Sequence, residues 1–274
     1  MKINTNLSNF KKKHKNKKNQ IIFHKIDCKN NKLIENIISN LLEKNNSFIF
    51  ESVEKRRIKG RYTIIGSDPD KIWEFNQKKI YIINNKIKKE IKGVPYKFLK
   101  KLIENFSFPL PKNLPPLCSL LVGYFSYDII RYTEKVPDNC IDDLKIPDIR
   151  LMRPRKIIIY DNLLKKIYFI INCFADEKIN DYLKYYLKQI GNINRLKNLA
   201  FIKPKKKKQT KKIEKMKVKS NISKNKFKNI VLRAKKYIKK GDIFQVVLSQ
   251  RFETKLTKSP LEIYKKTCKN NKII

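Results

Sequence analysis

Ala234-Lys-Lys-Tyr-Ile-Lys-Lys-Gly-Asp-Ile-Phe-Gln-Val-Val-Leu-Ser-Gln-Arg-Phe252 sets the fold class of this chain. Its first residues close a helical pattern in which Phe227, Ile230, Val231, Ala234 and Ile238 share one face. Ser223 stands where a hydroxyl can accept from the free N–H groups of the first turn. Gly241 stands where a left-handed residue ends a helix. The stretch Asp242–Phe252 reads as a strand, and Ser259-Pro260 opens another helix, with proline in the first turn, where a missing N–H is harmless. Helix, glycine stop, long strand and helix predict an α+β chain.

Upstream, Lys203–Lys219 is almost all Lys, Gln, Thr and Glu without a usable period, so residues 201–220 are expected to form a solvated, self-repelling linker. It separates a segment 221–274 from a domain 21–200. Residues 1–20 are Lys- and Asn-rich and aperiodic, and are expected to be a disordered basic tail. Within 21–200, Leu33, Ile34, Ile37, Ile38, Leu41 and Leu42 form one helical face. Short β-type runs follow at Ser47–Glu51, Arg61–Gly66, Lys71–Phe75 and Lys79–Asn84, with Asp68-Pro-Asp70 read as a turn. Leu99–Ile103 suggests a brief helix, and Ser119–Phe125 a buried strand. Lys156–Tyr160 and Lys166–Cys173 suggest a hairpin around Asp161-Asn162. A last helix is expected over Asp176–Ile190, with Ile179, Tyr182, Leu183, Tyr186 and Leu187 on its apolar face.

The net charge of +42 invites a nucleic-acid reading. Only ten of the 66 basic residues are arginines, the side chain whose planar fork reads phosphates and bases, and the lysines are spread over every segment. That is the pattern of an AT-rich coding bias, and no specific nucleic-acid partner is expected. No apolar run approaches the 18 or so residues of a membrane span, and no signal peptide is visible, so no membrane partner is expected either. Five cysteines without close pairing fit reduced thiols and a cytoplasmic location. The chain has two histidines, six glycines and no phosphate loop, HExxH or GxSxG motif. On residues alone it is a cytosolic α+β protein without evident catalytic equipment.

Three blocks carry a resemblance. Phe48-Ile-Phe-Glu-Ser-Val-Glu54 is followed by Gly60-Arg-Tyr-Thr-Ile-Ile-Gly66. Gly123-Tyr-Phe-Ser-Tyr-Asp-Ile-Ile-Arg-Tyr-Thr-Glu134 is followed by Pro147-Asp148 and Leu151-Met-Arg-Pro154. The third is the stretch quoted at the start. Together they resemble anthranilate synthase component I, of the chorismate-utilising enzymes. The resemblance implies an amino-terminal domain of antiparallel sheets with flanking helices over 21–200, and the opening of a chorismate-binding domain over 221–274. It implies that Glu51, Ser52 and Thr63 line a site for L-tryptophan as feedback inhibitor, a carboxylate being suited to hold an ammonium group by a charge-assisted hydrogen bond. In the second block Asp128 and Arg131, three apart, are expected to pair on a helical turn as a positioning contact. Gln245 is the catalytic candidate. Related enzymes that add water carry lysine there as a base, whereas a neutral amide suits attack by ammonia.

The resemblance further implies chorismate as substrate, a glutamine amidotransferase subunit as partner and Mg²⁺ as cofactor. Residues present offer no carboxylate cluster for that ion; its ligands are expected beyond residue 274, as are a histidine and the glycines and arginine that hold chorismate. The Asn-Pro-Ser-Pro segment that completes the inhibitor site is also missing after Cys268, where the chain reads Lys269-Asn-Asn-Lys-Ile-Ile274. The chain is therefore expected to be truncated and inactive alone. The alternatives are 4-amino-4-deoxychorismate synthase component I, which shares the glutamine, and a non-catalytic remnant that binds tryptophan or the amidotransferase.

Overall fold

A computed structural model describes residues 3–28, 30–42, 45–51, 60–76, 79–84, 86–111, 113–139, 141–204 and 217–270. The chain divides into two compact units, Met1–Pro204 and Lys205–Lys272. Of the expected linker, residues 205–216 lie outside the described residues, and Val218–Ser220 form a short strand. Among the described residues no helix is long and apolar enough to cross a membrane.

The first unit opens with α1 (Leu7–Lys15), β1 (Gln20–Asp27), α2 (Lys32–Leu41), β2 (Phe48–Phe50) and β3 (Tyr62–Asn76). It continues with β4 (Lys79–Asn84), β5 (Ile87–Ile91), α3 (Pro95–Glu104) and β6 (Val122–Phe125). A 3-10 turn, Tyr127–Tyr132, leads to β7 (Ile149–Asp161), β8 (Lys166–Cys173) and α4 (Tyr182–Leu199). All pairings are antiparallel. The sheet runs β1-β8-β7-β3-β4-β5, with β2 added to β3 and β6 added to β7.

The spine is β3 against β7, paired from Tyr62–Asp161 to Phe75–Ile149. Here the structure corrects the turn read at Asp68-Pro-Asp70. Those residues lie inside one strand, at a register shift between Pro69 and Lys71, and Asp68 takes φ 57°. The strand continues because β7 is long enough to pair both halves. Charge holds the irregularity in place: Asp70 bonds Arg153, and Asp68 lies 2.7 Å from Lys156.

One face of the sheet buries Ile22, Ile65, Ile158, Phe169 and Ile171 beneath α1, α2 and α4. Ile64, Ile157, Ile159 and Ile170 pack on the other face, joined by Cys118, Phe108 and Leu114 of the proline-rich connector. Phe98, Leu99 and Leu102 of α3 pack with Trp73, Phe75 and Ile149 at the far end.

Two more expectations need correction. Residues 7–15 are helical, not a disordered tail: Asn6 caps α1 and Phe10 is fully buried, its ring 5.7 Å from that of Tyr185. Two apolar residues, Leu7 and Phe10, are too few to show a period, yet α4 supplies the surface that orders them. In α4 itself the buried side chains are Tyr186, Gln189, Asn192, Ile193 and Leu196, whereas Leu183 and Leu187 are exposed. The helix begins at Tyr182, six residues later than expected, so its inward stripe is turned from the one read between Ile179 and Leu187.

The second unit contains β9 (Val218–Ser220), α5 (Lys224–Lys240), β10 (Phe252–Thr254) and α6 (Pro260–Asn270). Ser223 Oγ accepts from Lys226 N, and Gly241 takes φ 78° at the end of α5. The strand expected over Asp242–Phe252 is not formed. A strand needs a ladder partner, and among the described residues only Val218–Ser220 pairs here, with Phe252–Thr254. Ala234 is the one buried apolar side chain described in this unit.

Candidate functional site

The β2–β3 ladder pairs Phe48 with Gly66, Ile49 with Ile65 and Phe50 with Ile64. Glu51 follows directly, exposed, at the position that the same register sets across from Thr63. Thr63 lies in β3, buried, and is paired on its other side with Tyr160 of β7. Alternation along the strand gives Thr63 the parity of Ile65, on the face that α2 covers. The structure thus places Glu51, just past the end of β2, at the register position opposite Thr63 of β3, at one end of the sheet. Ser52 lies outside the described residues. Gln245 belongs to the second unit, exposed in the irregular segment after Gly241.

What surrounds Thr63 was not legible in the sequence. The Tyr160 hydroxyl lies 3.2 Å from Asn31 Oδ1, a residue that precedes α2, and Lys165 Nζ sits 5.8 Å from the Tyr160 ring centroid. The end of the sheet is locked by Arg61, which bonds both oxygens of the fully buried Asp161, Nε to Oδ1 at 3.1 Å and Nη2 to Oδ2 at 2.7 Å. Asp161 Oδ1 also accepts from the backbone N–H groups of Leu163 and Leu164. Burial works to raise the Asp161 pKa, but Arg61 and the two N–H donors outweigh it and hold the carboxyl below its usual range. Arg61 was visible in the Gly60–Gly66 block, but nothing marked its partner a hundred residues away.

The Gly123–Glu134 block is structural. A Cβ on Gly123 would run into the backbone carbonyl of Arg150, so only glycine lets β6 approach β7 this closely. Arg131 pairs with Asp128 as expected, and Tyr132 donates to Asp148 at 2.9 Å. Burial, then the neighbouring Asp148 carboxylate, raises the Tyr132 pKa.

Other carboxylates are committed to ion pairs. Asp70 and Asp176 share Arg153, Glu177 bonds Arg155 and Tyr185, and Glu74 bonds Lys88 and Arg150. Among the described residues no group of three or more His, Cys, Asp or Glu could hold a metal ion. The described residues therefore offer no ligand set that fits Mg²⁺. Burial pushes the Cys118 and Cys173 thiols up to about 12, so neither offers a thiolate near neutral pH.

A family model of chorismate binding enzymes matches residues 45–273. Anthranilate synthase component 1 of Acetivibrio thermocellus is 35% identical over 228 residues, which cover 80% of this chain and 45% of that protein. The protein of the same name from Cereibacter sphaeroides is 27% identical over 272 residues, 97% of this chain and 54% of that one. The chain spans about half the length of these curated relatives. Among solved structures, anthranilate synthase component I from Streptococcus pneumoniae TIGR4 matches with a TM-score of 0.60 and 24% identity, over 80% of this chain and 48% of that one. At that identity the likeness shows a shared fold.

Proposed function

The chain belongs to the family of chorismate binding enzymes, and we propose that it supplies the amino-terminal part of an anthranilate synthase component 1. In that reading the whole enzyme converts chorismate and ammonia to anthranilate, pyruvate and water, the first step committed to tryptophan. A glutamine amidotransferase subunit delivers the ammonia. The match over 45–273 to the family, together with its anthranilate synthase relatives, carries the reading.

The first unit takes the sensing role. L-tryptophan binds at the end of β2 and β3, with its ammonium group on the Glu51 carboxylate and a second polar contact from Thr63. Ser52, adjacent to Glu51, completes the set. A charge-assisted hydrogen bond of this kind is worth roughly 1.5–3 kcal/mol. In the second unit Gln245 flanks the nucleophile. A neutral amide cannot deprotonate water, and ammonia arrives with its lone pair already free, so this side chain selects amination over hydration.

Calorimetric titration of the chain with L-tryptophan tests the sensing role. Saturable heat that L-alanine does not reproduce supports it; no heat at millimolar ligand sinks it. Anthranilate fluorescence from the whole enzyme of which this chain is the amino-terminal part, measured with chorismate, ammonium and Mg²⁺, tests the catalytic role separately.

A further inference from the structure

The turn between β7 and β8 does more than reverse the chain. Asp161, at its start, is fully buried, and its carboxylate is met by the Arg61 fork on one side and by the N–H groups of Leu163 and Leu164 on the other. Asn162, next in the turn, grips the same entering strand through its backbone: its N–H donates to the Arg61 carbonyl at 2.8 Å, and its Nδ2 to the Gly60 carbonyl at 3.4 Å. At the turn's far end the Lys165 carbonyl accepts from Cys28 N at 2.7 Å. The Arg61 guanidinium also lies 4.9 Å from the centroid of the Tyr62 ring.

Thr63 is one rung in from this clasp, because Tyr62 pairs with Asp161 and Thr63 with Tyr160. Glu51 holds the register position across from Thr63 on the other side. The clasp therefore sits where the chain enters β3, and the end of a strand is the part that frays first. Desolvation offsets much of the attraction in a buried ion pair, so stability alone is a weak reason for a carboxylate at Asp161. A two-pronged pair supplies something else, a fixed distance and a fixed plane.

We propose that Arg61 and Asp161 are positioning residues for the amino-acid site. Their clasp holds the first rungs of β3 in one geometry, so that Thr63 meets the ligand already ordered and already spaced from Glu51. Both residues act through Thr63 and touch no ligand atom; their role rests on the tryptophan-binding reading given above. A site whose contacts are ordered before binding loses less freedom when the ligand enters, and its affinity is higher for that reason. Without the clasp the ligand must order the strand end itself.

The test is calorimetric titration of the full chain with L-tryptophan, using Arg61→Gln, Asp161→Asn, the double variant and Glu177→Gln. The last breaks another ion pair, beyond the Cys173 end of β8, whereas Asp161 pairs with Lys166 at the opposite end. Circular dichroism verifies folding. Wild type and Glu177→Gln are expected to bind alike, and each clasp variant about ten-fold more weakly. The double variant should bind no worse than the weaker single, since all three lose one shared contact. A direct effect of charge predicts instead that losing a cation and losing an anion shift affinity in opposite directions, and that result would overturn the proposal. If the single variants bind as wild type does, or if Glu177→Gln weakens binding equally, the clasp serves stability alone; the proposal is then overturned while the tryptophan reading stands. If wild type gives no heat with L-tryptophan, that reading falls and the positioning role falls with it. Should a variant fail to fold, Arg61→Lys replaces it, keeping the charge and losing the fork. Affinity between wild type and a ten-fold loss supports the clasp, and wild-type affinity there overturns it.

Discussion

Replacing Phe10 by alanine should destabilise the first unit by about 4 kcal/mol. The ring is fully buried, lies 5.7 Å from that of Tyr185 and 5.8 Å from that of Tyr186, and the Phe10 carbonyl accepts from Gln20 Nε2 at 3.0 Å. A buried aromatic removes about 150 Å² or more from water. At about 25 cal/mol per Å² that is about 4 kcal/mol, inside the range of roughly 3–5 measured for Phe→Ala in cores. The sole tryptophan, Trp73, is buried in the sheet and reports unfolding of the unit. With a urea slope of about 2 kcal/mol per M, the fluorescence midpoint should fall by about 2 M. Limited trypsin digestion adds a local readout, because Lys11, Lys12 and Lys13 become cleavable if α1 alone detaches. A disordered tail predicts a change within about 0.5 kcal/mol, as for an ordinary surface substitution, and an unchanged digestion pattern. That result would refute the docking of α1.

Gly123→Ala should break the β6–β7 pairing, because the new methyl meets backbone that cannot swing aside; faster amide exchange over Val122–Phe125 is the readout. Glu177→Gln should cost about 3–5 kcal/mol near pH 7 by stranding Arg155. Burial works to raise the Glu177 pKa, but Arg155, Tyr185 and the Phe174 N–H outweigh it and lower it; Asp176 is likewise lowered, by Lys71 and Arg153. Lowered native carboxyls stabilise above the ordinary carboxylate range, and the gain is lost as pH falls through their native values. Urea midpoints should therefore stay level from pH 7 to about 5 and drop below about 4, with the Glu177→Gln deficit shrinking in acid. A deficit that stays constant with pH would remove the ion pair as its cause. Glu51→Gln should weaken L-tryptophan binding ten- to about a hundred-fold in calorimetry, the worth of one charge-assisted hydrogen bond; unchanged affinity would move the ammonium group elsewhere.

Local chemistry alone determined several elements. The Ser223 cap and the Gly241 stop bracket α5, where both act through their own backbone neighbours. The hairpin at Asp161-Asn162, the α2 face and the helix opened by Pro260 were equally readable, each encoded within one short window. Of the candidate site, the Glu51 and Thr63 positions came from the resemblance of their blocks. Tertiary structure decided whatever depends on a distant partner. Phe10 is ordered by α4, Asp68-Pro-Asp70 is carried through β3 by β7, Arg61 finds Asp161, and the Asp242–Arg251 stretch stays irregular, with no strand paired to it among the described residues. A helix satisfies its hydrogen bonds within itself, and a cap acts within four residues, so both can be read from a window. The β3–β7 ladder and the Arg61–Asp161 pair join residues up to about a hundred positions apart, which no window contains.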